Sequence, residues 1–234
     1  MKSDTDHDFD SYAVDYDAAL AQGIAISGEG KNYFARRRIE WLRDCLVRAS
    51  APLRHVMDYG CGTGSSAPFL IDILGIDTLV GTDRSTKSLA VARQKHGSDH
   101  ARFVSFEACP PRAQFDLVFC NGVFHHISPV ERAFALDYIF RSLCPGGWFA
   151  FWENNPWNPG TRYVMSRIPF DRDAITLTAP ESRSLLRAAK FEILRTDFLF
   201  IFPKFLRWLR WMEPHCSLLP LGAQYQVLCR KASS

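Results

Sequence analysis

The sequence predicts a doubly wound α/β sheet whose strands are mostly parallel, and three observations carry that prediction. Strand-like and helix-like stretches alternate with short loops through about five units between residues 53 and 153. The stretch F-D-L-V-F-C at 115–120 is a nearly continuous apolar run, as a parallel strand covered on both faces must be. Finally, H-V-M-D-Y-G-C-G-T-G at 55–64 places an apolar pair and an acid before Gly60, Gly62 and Gly64. That order suits a buried strand that stops, turns tightly and opens a helix, whose free N–H groups face a polar or anionic ligand.

Taken in order, residues 1–10 read as a flexible tail. Residues 9–21 carry Tyr12, Tyr16 and Leu20 at helical spacing, and Gly23 with the I-S-G-E-G turn at 26–30 breaks that helix. The next helix, 31–49, has an apolar face of Phe34, Ile39, Trp41, Leu42, Cys45 and Leu46. Arg36 to Arg38 and Arg43 lie on or beside its wet side, and Pro52 ends it. The opening strand is 53–59. Residues 65–74 form a helix closed by Gly75. The second strand, T-L-V-G-T-D at 78–83, ends in an acid roughly 20 residues after the turn, the distance of a ribose-binding carboxylate. Ser85 caps a helix through Lys95, and 102–106 is a third strand followed by Glu107 and the Pro110-Pro111 loop. The fourth strand leads into Asn121. A helix at 129–142, the turn C-P-G-G at 144–147 and a fifth strand at 148–153 complete the alternation. Ligands of such sheets lie at the carboxyl ends of the strands, where Asp58, Asp83, Glu107, Asn121 and Glu153 all fall.

The remainder departs from this pattern. Residues 154–172, rich in Pro, Asn and aromatics, read as a loop-rich insertion, followed by a helix at 181–190 and a long apolar strand at 191–202. A short basic-aromatic helix is predicted at 204–212 and a last strand at 224–231, the last two strands forming an antiparallel hairpin at the sheet edge. At helical spacing Lys204, Arg207 and Arg210 take one side of 204–212, and Phe205, Trp208, Leu209 and Met212 the other. Three uses stay open: packing on the sheet edge, capping a hydrophobic pocket, or weak contact with a membrane surface through 198–212.

Composition narrows the partners. Of 234 residues 47% are hydrophobic and 23% charged, a globular balance. A net charge of +3 without a basic run argues against nucleic acid. Seven cysteines with no C-x-x-C pair fit reduced thiols in a cytoplasmic protein better than disulfides or a zinc site. The start, M-K-S-D-T-D-H-D, is acidic and polar, unlike a secretory or transit signal, and no run approaches the roughly 20 apolar residues that cross a bilayer.

Four stretches in order, V-M-D-Y-G-C-G-T-G, G-T-D-R-S, F-D-L-V-F-C-N-G-V-F-H-H-I and L-C-P-G-G-W-F-A-F-W-E, resemble the motifs of class I S-adenosylmethionine-dependent methyltransferases of the small-molecule type. The resemblance implies a Rossmann-like methyltransferase fold with seven strands and an antiparallel C-terminal strand. It implies an N-terminal tail and helical lid at 1–52 and a catalytic domain at 53–234, with acceptor-binding insertions within 153–222. The cofactor would be S-adenosylmethionine. Gly60 and Gly62 would approach its methionine part and Asp83 would accept from its ribose hydroxyls, with Asp58, Cys61 and Arg84 also among the cofactor-binding residues. Glu107 and Ala108 would lie near its adenine, Asn121 would offer polar groups past strand four, and Tyr33 or Tyr16 would reach its carboxylate from the lid.

Methyl transfer is a displacement at an activated carbon, so a protein chiefly aligns the partners and helps a proton leave. His126, with His125 beside it, is the base candidate because histidine titrates near neutral pH; packing or helix capping is the other reading of the pair. Glu153, Asn154, Asn155 and Asn158 are acceptor-binding candidates with Trp157 as an apolar wall, although Asn and Pro also build turns here. No metal is expected, since Asn121-Gly122 followed by Phe and His lacks clustered Asp and Asn ligands. The turn reads G-C-G-T-G, whereas a dinucleotide-dependent oxidoreductase wants G-x-G-x-x-G/A. An inactive binding subunit of the same fold would show an eroded turn or ribose acid, and both are intact. The acceptor is expected to be a small organic molecule, aromatic or lipid-like, methylated at oxygen. The alternative is a protein or RNA, against which stand the low charge and the enclosing loops.

Overall fold

The computed structural model describes residues 23–47, 53–168, 171 and 174–233. The tail, the 9–21 helix with Tyr12, Tyr16 and Leu20, and Pro52 lie outside the described residues. Seven strands form one sheet: β1 (His55–Tyr59), β2 (Thr78–Thr82), β3 (Ala101–Val104), β4 (Phe115–Asn121), β5 (Leu143–Asn154), β6 (Glu192–Leu199) and β7 (Gln224–Arg230). Their order is 3-2-1-4-5-7-6, and β7 runs antiparallel to both of its neighbours. The order reverses between β1 and β4, so the chain leaves a crevice where Tyr59 and Asn121 end adjacent strands.

Helices cover both faces. On one, α1 (Lys31–Val47), α2 (Ala67–Leu74) and α3 (Thr86–His96) bury Ile39, Leu42, Leu70 and Leu89 against Val56, Leu79 and Leu117. The helix expected to belong to a lid contributes to this core layer with its later turns, while Lys31, Tyr33, Phe34, Ala35 and Arg38 of its first turns line the cavity described below. Further along come α4 (Arg132–Ser142), α5 (Pro159–Arg167), α6 (Ala179–Ala188) and α7 (Glu213–Cys216). Leu136 and Ile139 of α4 and Leu186 of α6 pack on the second face against Met57, Val118, Phe149 and Val227. Local chemistry sets the ends. The Ser85 hydroxyl accepts from Ser88 N and starts α3, Gly75 closes α2 at φ +64°, and Thr178 with Glu181 makes a capping box on α6.

Two details depart from the sequence expectation. The C-P-G-G stretch is no separate turn: β5 already begins at Leu143, paired with Phe115, and the register shifts before Leu117 pairs with Trp148. Gly146, at φ +77°, lets the strand absorb the extra residues as an irregularity. The second departure is Lys204–Met212, a 3-10 helix with a break at Leu206 (φ −104°, ψ 21°), not an α-helix. Its sequence repeats every three residues: basic at 204, 207 and 210, aromatic at 205, 208 and 211, aliphatic at 206, 209 and 212. A turn of three residues stacks each kind in its own row, which a 3.6-residue turn does not. We call this segment the strap. It lies in the long connection between β6 and β7, so the antiparallel pair expected at the sheet edge forms without a tight hairpin, and β6 is the outer strand. Among the described residues no helix is long and apolar enough to cross a membrane.

Candidate active site

The glycine turn after β1 is pinned to β2. Gly60 N and Cys61 N both donate to the Thr82 carbonyl, at 2.8 and 3.0 Å. Gly62 N donates to Asp83 Oδ2 at 2.8 Å, and Ser85 N to Asp83 Oδ1 at 2.9 Å. The turn needs glycine twice for different reasons. At Gly60 (φ +70°) a Cβ would lie 2.5 Å from Val123 Cγ2, whereas at Gly62 (φ +52°) a Cβ would meet nothing within 4 Å. The backbone at Gly62 therefore faces open space. Burial raises the Asp83 carboxyl above its ordinary value despite the backbone N–H donors around it. Asp58 is buried at the end of β1; desolvation, and then the charge of Asp83, lifts it to about 7. Cys61 packs in the core, with its Sγ 2.9 Å from where a Gly81 Cβ would stand. Arg84, Glu107 and Ala108 are exposed after β2 and β3.

Past β4, Gly122 (φ +66°) turns the chain into a 3-10 turn, Phe124–His126. Glu153 near the end of β5 receives that turn: its Oε1 accepts from Phe124 N at 2.7 Å, and its Oε2 lies 2.5 Å from His125 Nδ1. The other ring nitrogen of His125 lies 3.5 Å from Asp171 Oδ1, and His126 Nε2 lies 3.3 Å from that same oxygen. Arg132 braces the turn from α4, its Nε donating to the Phe124 and Ile127 carbonyls. Burial alone would lower the His125 pKa, but the Glu153 and Asp171 carboxylates outweigh it and raise the imidazole to about 10. His126 moves the other way: burial, helped by the charge of His125, lowers it although Asp171 opposes. Asp171 stays below its usual value because both histidines hydrogen-bond it, against the upward pull of burial.

His125 and His126 both line a cavity of about 460 Å³ that opens beside the glycine turn. Phe34, Val164, Ile168, Phe200 and Phe202 supply apolar walls, and Tyr33, Asn121 and Asn154 polar ones. Asn121 Oδ1 is buried with no hydrogen-bond partner, an acceptor aimed at a donor that the protein does not provide. The stretch after β5 divides in two. Asn154 is on the wall and accepts from Gln224 Nε2 at 2.9 Å. Asn155 is fully buried and donates to the Pro220 and Gly222 carbonyls, so it braces the fold. Glu153 sits behind His125, and Trp157 is 51% exposed and outside the cavity lining. Asn158 caps α5 and also borders the cavity.

Asp171 is the residue that sequence reasoning missed. The only signal was an acid in a loop-rich insertion, and nothing in the chain order ties it to a pair 45 positions earlier. With His125 and His126 it brings three potential ligand atoms within 4.8 Å of one another, a set able to hold a divalent ion. In this structure those atoms are engaged in the hydrogen bonds described above.

A parallel sheet reversing at a glycine turn, with an acid at the end of the next strand, defines an α/β protein built for a nucleoside-containing ligand. Residues 57–151 match a family model described as a methyltransferase domain. The chain is 31% identical over 141 residues to a trans-aconitate 2-methyltransferase of Delftia acidovorans, covering 58% of this chain and 51% of that one. It is 27% identical over 195 residues to a fatty-acid O-methyltransferase of Mycolicibacterium smegmatis, covering 82% and 66%. The chain spans about half the length of the first curated relatives it matches. Among solved structures, a possible histamine N-methyltransferase of Thermotoga maritima shares the fold, with a TM-score of 0.64 at 20% identity over 97% of this chain and 99% of that one. Residues 57–151 thus resemble a methyltransferase domain, and the chain shares the fold of solved S-adenosylmethionine-dependent methyltransferases. The open space at Gly62, the Asp83 carboxylate and the orphaned Asn121 oxygen would suit the polar groups of S-adenosylmethionine, the donor that such methyltransferases use.

Proposed function

We propose that the chain methylates a small organic acceptor, aromatic or lipid-like, at an oxygen, with the acceptor in the cavity beside His126. The observation that carries this reading is the cavity itself: about 460 Å³, walled by aromatic and aliphatic side chains, with His126 and Asn121 on its wall. A pocket of that size and lining suits a small, largely apolar molecule with one reacting polar group. Two of the relatives are named for small acids, trans-aconitate and fatty acids, which supports the same class.

When bound, the cofactor supplies a methyl group already activated on sulfur, so the chain's own work is placement and proton handling. Asp83 holds the glycine turn in place through Gly62 N, and the Asn121 oxygen accepts one further donor. His126, neutral at physiological pH, takes the proton of an acceptor hydroxyl as oxygen becomes the nucleophile. Asp171 orients His126 and stabilises the imidazolium that results. His125, held charged against Glu153, keeps Asp171 anionic and in place.

Calorimetric titration with S-adenosylmethionine and with NADH tests the donor: the first must bind and the second must not. Labelled methyl transfer to hydroxylated aromatics and long-chain acids tests the acceptor. Label appearing only in protein or RNA substrates would overturn the small-molecule reading.

A further inference from the structure

We propose that the strap, Lys204–Met212, docks this protein on an anionic lipid surface. The argument begins with its three-residue repeat. In a 3-10 helix residues i and i+3 eclipse, so beyond the break at Leu206 the repeat sets Trp208 in line with Trp211 and Arg207 with Arg210. The aromatic row is turned outward: Phe205 is 75% exposed, Trp208 67% and Trp211 70%. The aliphatic row, Leu206, Leu209 and Met212, is half-buried on the inner side. Next to the aromatics runs the basic row, of which Lys204 and Arg207 are exposed. No residue of the strap is fully buried.

A line of three exposed aromatic rings is not a surface that water favours, and it marks a contact. The charges around it say with what. Between residues 198 and 223 the chain has a single acid, Glu213, against Lys204, Arg207 and Arg210. Glu213 is buried and accepts from Ile201 N at 2.8 Å, so it projects no negative charge outward. Arg210 is turned inward, pairing with Glu29 at 2.9 Å and lying over the Tyr33 ring. Among residues 198–223 the exposed side chains of the strap are therefore aromatic or positive. Tryptophan rings settle at the boundary between headgroups and acyl chains, and lysine and arginine beside them meet anionic headgroups. A protein partner would more often be met by a mixed-sign rim.

The same segment borders the cavity, since Phe202, Pro203, Phe205 and Arg210 are among its lining residues. Docking would place the cavity wall next to the lipid phase and give an amphiphilic acceptor a short path inward, a use that rests on the methyl-transfer reading. Docking itself does not depend on it.

The test uses the full chain and vesicles of phosphatidylcholine with or without phosphatidylglycerol. The wild type should co-sediment with the anionic vesicles and about tenfold less with phosphatidylcholine alone. Trp208→Ser with Trp211→Ser should weaken binding to anionic vesicles by about tenfold or more, as loss of two burying rings requires. Lys204→Glu with Arg207→Glu should remove the preference for phosphatidylglycerol. These side chains are exposed, so each variant should keep the wild-type melting curve. No sedimentation of the wild type, or equal sedimentation of the tryptophan variant, would overturn the proposal. So would a vesicle-free dimer that the tryptophan variant abolishes, because the row would then be a contact between copies. S-adenosylmethionine titration of the same preparations separates the two readings: lipid binding without cofactor binding keeps docking and removes methyl transfer, and the reverse does the opposite.

Discussion

Glu153 and His125 meet at 2.5 Å between the end of β5 and the turn after β4, both out of contact with solvent. This pair joins the scaffold to the chemistry. The carboxylate spends one oxygen on Phe124 N, which fixes the turn, and the other on His125, which fixes Asp171 and through it His126. A buried charge with a removed partner is far costlier than the intact pair is stabilising. Glu153→Gln should therefore destabilise the fold by about 3 kcal/mol and lower the melting temperature by roughly 10 °C. Denaturant and thermal unfolding check this, and a change within error would show that the pair is not held as a pair.

The pH dependence of stability follows with its sign. His125 has its folded value raised from 6.5 to about 10, so its contribution is complete below pH 6.5 and is lost as pH rises toward 10. Asp171 is lowered, so its contribution is present above its ordinary carboxyl value and is lost on acidification. Asp58, raised to about 7, opposes folding as it ionises between its ordinary 3.8 and that value. Melting temperatures should decline from about pH 6.5 toward pH 10, and His125→Gln should flatten that limb. A wild-type curve without the alkaline decline contradicts a charged His125.

His126→Ala should leave S-adenosylmethionine binding near normal and cut turnover about 100-fold with a hydroxyl acceptor. Because burial and the His125 charge lower the His126 pKa, the acid limb of the rate profile should lie below 6.5. Unchanged turnover would remove the base role and point to an acceptor oxygen that is already ionised.

The two glycines should respond differently. Gly62→Ala meets no atom and carries only the strain of a left-handed residue, about 1 kcal/mol, yet it should weaken S-adenosylmethionine binding at least tenfold. Gly60→Ala drives a methyl group into Val123 and should lower the melting temperature more. Calorimetry and melting on both variants separate a ligand-facing glycine from a packing one. Equal effects would contradict the open space assigned to Gly62.

Asn155→Ala should cost about 2 kcal/mol, since its buried amide satisfies the Pro220 and Gly222 carbonyls, while the Michaelis constant for the acceptor stays unchanged. A raised Michaelis constant at unchanged stability would return Asn155 to the acceptor site.

Much of this was legible in the chain order because it is local. The alternation of strands and helices, the glycines that need positive φ, the Ser85 cap and the acid ending β2 each depend on neighbours a few residues away. The strand-five onset was misjudged for the same reason: C-P-G-G has local turn chemistry, and only pairing with Phe115 draws it into the sheet. The strap was misread because a three-residue repeat also fits a helical wheel, and the choice between the two rests on what its aliphatic row packs against.

By itself the sequence determined the doubly wound sheet and the crevice at its reversal, since periodicity and turn chemistry are written in consecutive residues, and its motifs carried the resemblance to methyltransferases. Only the tertiary structure decided that Asp171 joins His125 and His126, that Glu153 and Asn155 brace the fold behind the cavity wall, and that the strap turns its aromatics outward. Those outcomes depend on contacts between residues tens of positions apart, whose partners are selected by burial and charge once the sheet has closed.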